Sequence, residues 1–121
     1  MYNPQEVSIA IKGYLKKLKS ILNNEVVFNL GNTKVVNKSK VDDILCCVEG
    51  SLPEEYKNYL KKYGLTKLKS YMYLNQLHAA IKNKFLFSTS KYAVNMNLAE
   101  SNITAIISVI DADLDKILRD A

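Results

Sequence analysis

Residues 64–97 read GLTKLKSYMYLNQLHAAIKNKFLFSTSKYAVNMN, and the fold turns on a change of period inside this stretch. Up to Asn83, the apolar residues Leu68, Tyr71, Met72, Leu74, Leu77 and Ile81 recur three or four apart, as on a helix. Beyond it, Phe85, Phe87, Tyr92, Val94 and Met96 alternate with smaller or polar residues around Ser88-Thr89-Ser90, as in a hairpin. Thr66 is expected to cap the helix, which then runs to about Asn83. Its apolar positions cover more than a narrow stripe, which predicts a central helix. Lys69, Tyr73, Gln76 and Asn83 lie nearer its polar face.

Upstream, two shorter helices are predicted. Ser39 is the expected cap of the first, with Asp42 and Asp43 in its first turn and Val41, Ile44, Leu45 and Val48 on its buried side. Gly50 stops it. Ser51 and Glu54 have the spacing of a capping box for the second, which carries Tyr56, Tyr59, Leu60 and Tyr63 and closes at Gly64. Earlier still, Glu25 to Val36 is rich in β-branched residues around Gly31-Asn32, the signature of a short hairpin. Gln5 to Leu22 reads as an amphipathic helix with Val7, Ile11, Tyr14, Leu15, Leu18, Ile21 and Leu22 on one face. Pro4 stands where a helix start tolerates it.

Downstream, Asn97 and Glu100 again have capping-box spacing. The last helix then repeats Ile103, Ile106, Ile107, Ile110, Leu114, Ile117 and Leu118. Full burial of that stripe is worth roughly 10 kcal/mol or more of transfer free energy before ordering entropy. Such a face must be covered, either by its own domain or by a second copy. The twofold homodimer is the expectation taken forward, with Ile103, Ile107, Ile110, Leu114 and Ile117 as its seam.

The reading is therefore α+β: one helix-rich domain over residues 1–121, with about five helices and two short β-hairpins. Residues 39–97, helix–helix–helix–hairpin, have the order of a winged-helix-like core, flanked by helices 5–22 and 98–119. With 121 residues, 48% hydrophobic, and only four Gly and two Pro, collagen-like and low-complexity classes are excluded. No apolar run approaches a membrane span and no secretory leader is evident, so a cytoplasmic protein with no membrane association is expected. Cys46 and Cys47 are adjacent, which is neither a disulfide framework nor a metal knuckle. The sequons at Asn37 and Asn102 are chance matches without a leader.

Charge carries the strongest functional signal. The chain has 17 Lys+Arg against 12 Asp+Glu, for a net +5. Residues 57–91 hold eight lysines, and no acid occurs between Glu55 and Glu100. Lys57, Lys61, Lys62, Lys67, Lys69, Lys82, Lys84 and Lys91, with Tyr73 and Gln76, are the candidate contacts to DNA or RNA, the lysines holding phosphates and the long helix entering a groove. Only Arg119 is arginine, so bidentate reading of guanine is not expected. The alternative partner is a protein: an inhibitor or immunity-type module docking on a larger protein, with tyrosines as anchors.

Catalytic signatures are missing. His78 is the only histidine and stands inside a helix. Asp111, Asp113 and Asp115 are two apart, which does not bring carboxylates to one helical face. Gly31-Asn32-Thr33-Lys34 lacks the glycines and the ending of a phosphate loop. A non-enzymatic regulatory or accessory protein without metal or cofactor is the expectation.

Overall fold

The computed structural model describes residues 3–84 and 88–120. Helix α1 (Pro4–Asn24) leads into strands β1 (Val26–Leu30) and β2 (Thr33–Asn37). Helices α2 (Lys38–Gly50) and α3 (Glu54–Tyr63) follow, then a 3-10 turn at Leu65–Lys67 and α4 (Lys69–Ile81). Strand β3 (Lys91–Asn95) runs directly into α5 (Met96–Asp120). The fold is α+β: five helices around a three-stranded antiparallel sheet of order β1-β2-β3 among the described residues.

The sheet joins the regions read as two short hairpins into one antiparallel layer. The Gly31-Asn32 turn forms as predicted, Gly31 adopting φ +62, a conformation open to glycine. β3, however, takes β2 as its ladder partner, with Lys34 opposite Val94 and Val36 opposite Tyr92. On its local side it meets the preceding chain through a bridge from Lys84 to Tyr92 and a hydrogen bond from Ala93 N to Asn83 O at 2.7 Å, and the expected Phe85–Phe87 arm lies outside the described residues. Pairing with β2 places Val36, Tyr92 and Val94 in the core, which a free-standing local hairpin would not do. Met96 belongs to α5 rather than to the strand. β1 is an edge strand, and its register with β2 shifts between Val26 and Phe28.

Helix ends also depart from the sequence reading. Asn3 caps α1, accepting from Gln5 N (3.0 Å) and Glu6 N (3.4 Å). α2 starts one residue before Ser39, which therefore is not its cap. Ser51 turns back instead of forward: its hydroxyl donates to Cys47 O at 2.8 Å, closing α2 rather than opening α3. Thr66 lies in the 3-10 turn, and α4 begins at Lys69, shorter than expected. Asn95, rather than Asn97, accepts from Leu98 N at the head of α5. Gly64 ends α3 as predicted, at φ +93.

α5 is the hub, not α4. It packs along α4 on one side and α1 on the other, and also touches α3 and β3. This corrects the dimer seam. Ile103, Ile110, Leu114 and Ile117 are at most 2% exposed within a single chain, and Ile107 packs against the same core. The stripe is covered by α1 and α4, so no face is left for a second copy there. One buried polar chain ties three helices together. Tyr56 Oη (α3) meets Ser70 Oγ at 3.0 Å, and Asp113 (α5) accepts from both Ser70 Oγ and Ser70 N, the latter at 2.6 Å. Asp113 thus caps α4 from across the core. The order of helices, with a strand returning beside them, is consistent with a winged-helix-like arrangement.

Candidate functional site

The lysines of residues 57–91 reach solvent: all are exposed except Lys91, which is half-buried. None makes an ion pair among the described residues. The lysines that do pair lie elsewhere: Lys12 with Asp111 (2.7 Å), Lys38 with Asp42 (3.5 Å) and Lys40 with Glu25 (2.5 Å). Among the described residues, folding therefore leaves these eight lysines without direct ionic partners. Lys62 rests over the Tyr63 ring, 5.2 Å from its centroid.

These lysines do not form one patch. Lys67 and Lys69 stand at the N-terminal end of α4, where α5 adds Lys116 and Arg119. The four cations line an open groove of about 630 Å³. Its two carboxylates already have partners, Asp113 in Ser70 and Asp120 in the Tyr59 hydroxyl at 3.1 Å. Lys82 and Lys84 follow the other end of α4, and Lys91 opens β3. Thirteen residues at 1.5 Å each separate the two ends of α4 by about 20 Å. Lys57 and Lys61 belong elsewhere, on the lip of a groove between α3 and α4.

Between its basic ends, α4 shows solvent a face of Met72, Asn75, Gln76 and Ala79. It carries two amides and no charge. Gln76 is exposed, as the sequence reading required, and shares a shallow hollow with Asn83, Asn95 and Asn102. Tyr73 is half-buried against the core, which corrects its expected place on the polar face. Tyr56 and Tyr59 are buried as well, so much of the tyrosine cluster is packing. Lys116 and Arg119 were missed as site residues because they stand in a mainly acidic segment. Their signal was position: on a helix they project to the side of α5 opposite its isoleucine stripe.

His78 lies on the flank of α4 facing α2. Glu49 Oε1 is 3.2 Å from its Nε2 but not aligned for a hydrogen bond, so Nε2 is buried without a hydrogen-bonding partner. Burial holds the imidazole pKa below its usual value; Glu49 opposes that shift and Lys82 adds to it. Near neutral pH it is an uncharged packing residue. Cys46 is exposed and Cys47 half-buried, both free. Among the described residues, no three His, Cys, Asp or Glu side chains gather as metal ligands, and no helix is long and apolar enough to cross a membrane.

No protein family, curated protein or solved structure matches the chain.

Proposed function

We propose that this protein is a non-enzymatic nucleic-acid-binding domain that lays α4 against duplex DNA. The observation that carries the reading is the arrangement of α4: an exposed, uncharged, amide-bearing face bracketed by lysines without ion pairs at both ends. In a major groove about 12 Å wide, a helix of this length has ends that reach the flanking phosphates while its middle faces base edges. Lys67, Lys69, Lys116 and Arg119 then hold one backbone. Lys82, Lys84 and Lys91 hold the other. Asn75 and Gln76 have the side chains that pair bidentately with adenine, and Met72 and Ala79 suit the thymine methyl. The preferred duplex is accordingly A·T-rich.

Fluorescence anisotropy with A·T-rich and G·C-rich duplexes tests this. Binding should weaken as salt rises, and the A·T-rich duplex should be preferred. Lys67→Glu with Lys69→Glu should weaken binding and flatten the salt slope by about 2, one unit for each phosphate no longer held. Lys16→Glu with Lys17→Glu, exposed on α1, should do much less. Equal losses from the two double variants, or no binding at low salt, would reject the assignment. Gln76→Ala should reduce the A·T preference without changing the slope.

A further inference from the structure

The groove between α3 and α4 has a different character from the basic groove beside α5. Its floor is Leu52, Tyr56, Leu60, Tyr71 and Leu74, and its volume is about 590 Å³. On the α3 side, Leu52, Tyr56 and Leu60 stand four apart; on the α4 side, Tyr71, Leu74 and His78 stand three and four apart. The groove thus has one wall from α3 and Leu52 before it and the other from α4. Lys57 and Lys61, one turn apart, form one lip, and neither has an ion pair among the described residues. Glu49 stands at the α2 end of the groove beside His78.

We infer that this groove docks an amphipathic helix of a protein partner that carries acidic residues along one flank. A trough between helical ridges accepts the i, i+3/i+4, i+7 anchors of an incoming helix. The apolar floor has nothing to offer a phosphate backbone, which distinguishes it from the surface assigned to DNA. Charge complementarity selects the occupant: carboxylates one turn apart on the partner helix meet Lys57 and Lys61. Glu49 repels acid at the α2 end and so fixes which way the helix lies. The groove shares Asn75 with the face assigned to DNA, but its lysine lip does not line the basic groove beside α5, so the two readings can fail separately.

The probe is a designed helical peptide with leucines at i, i+4 and i+7 and glutamates along one flank. The control is the same peptide with lysines in place of the glutamates. Amide shift changes in the labelled full chain are read by NMR, and affinity by anisotropy of the dye-labelled peptide. The acidic peptide should shift residues 56–61 and 71–78, and the basic peptide should not bind. Lys57→Glu with Lys61→Glu, both exposed and outside the core, should weaken the acidic peptide by about tenfold. The same double variant should admit the basic peptide. Lys67→Glu with Lys69→Glu should leave both peptides unchanged while weakening duplex DNA. Equal binding of the two peptides, shifts confined to other surfaces, or no binding of the acidic peptide would overturn the inference.

Discussion

Lys12 on α1 and Lys38 and Lys40 on α2 have the same chemistry as the lysines after Tyr56 and different company. Lys12, Lys38 and Lys40 each end within ion-pair range of a carboxylate. The eight lysines of 57–91 do not. Acidic side chains do come near the second group, but they are turned elsewhere. Asp113 faces inward to Ser70, and Asp120 takes a hydrogen bond from Tyr59. The difference teaches that segregation of charge along a chain survives folding when the nearby acids are committed to internal hydrogen bonds. What is left is a set of lysines with no direct ionic partner among the described residues, which is what a polyanion or an acidic peptide needs.

Asp113 is the place to break that comparison, and it carries the largest expected effect. It is 6% exposed and accepts both the backbone N–H and the hydroxyl of Ser70. Asp113→Ala leaves those buried donors without their acceptor and should cost about 2–3 kcal/mol in urea unfolding. Because the bond is buried, the loss should persist at high salt. Asp113→Asn keeps an acceptor and should cost less, while making the groove beside α5 more positive and DNA binding tighter. A loss for Asp113→Ala that vanishes in high salt would mean that the carboxylate serves Lys67 and Lys69 after all.

His78 gives the next effect. It is the basic residue of this region that does lie within ion-pair range of an acid, Glu49, yet its charge is suppressed. Burial lowers its folded-state pKa, against the pull of Glu49 and with the help of Lys82. A histidine that resists protonation in the folded state takes up its proton first in the unfolded chain. Its contribution to stability is therefore complete above pH 6.5 and is lost as pH falls through the lowered folded value. Urea midpoints should drop on going from pH 7 to pH 5, and His78→Gln should flatten that drop. An unchanged pH dependence in the variant would show that the imidazole carries its charge in the folded protein.

How much of this was legible in the sequence follows from how local each signal is. Five helices could be read because Ile103 through Ile117 and Ile11 through Leu22 keep a period that needs no partner to be seen. The Gly31-Asn32 turn and the Gly64 stop are equally local. The pairing of β3 with β2 joins residues nearly sixty positions apart, and nothing in Tyr92 or Val94 names Val36 or Lys34 as partners. The caps failed for a related reason. Ser51 has two helices within reach, and composition does not say which it serves. The head of α4 is satisfied by Asp113 from a distant helix, a bond no local motif encodes. The site divides the same way. The acid-free run of lysines was visible, but its split among the two ends of α4 and the α3–α4 groove was not. Arg119 and Lys116 join Lys67 and Lys69 only through the packing of α5 on α4.

The smallest effect sharpens the comparison most directly. Asp111 is 63% exposed, and its pKa is held below the usual carboxylate value mainly by the hydrogen bond from Lys12, with a second from Ser8. Solvent screens a pair of that kind, so Lys12→Ala should cost only about 0.2–1 kcal/mol at low salt and almost nothing in strong salt. The depressed carboxylate adds stability above pH 4 that is lost as pH falls through its lowered value, and Lys12→Ala should remove most of that acid-side slope. Lys69→Ala, by contrast, removes a cation with no pair to lose. Its unfolding free energy should stay within about 0.5 kcal/mol of the parent at any salt, while its DNA binding falls. The two alanine variants should thus exchange roles: one changes salt-dependent stability and leaves binding alone, the other changes binding and leaves stability alone. If Lys69→Ala shows the salt-dependent loss of stability instead, the second group of lysines has ionic partners in solution, and the distinction between the two populations fails at its most sensitive point.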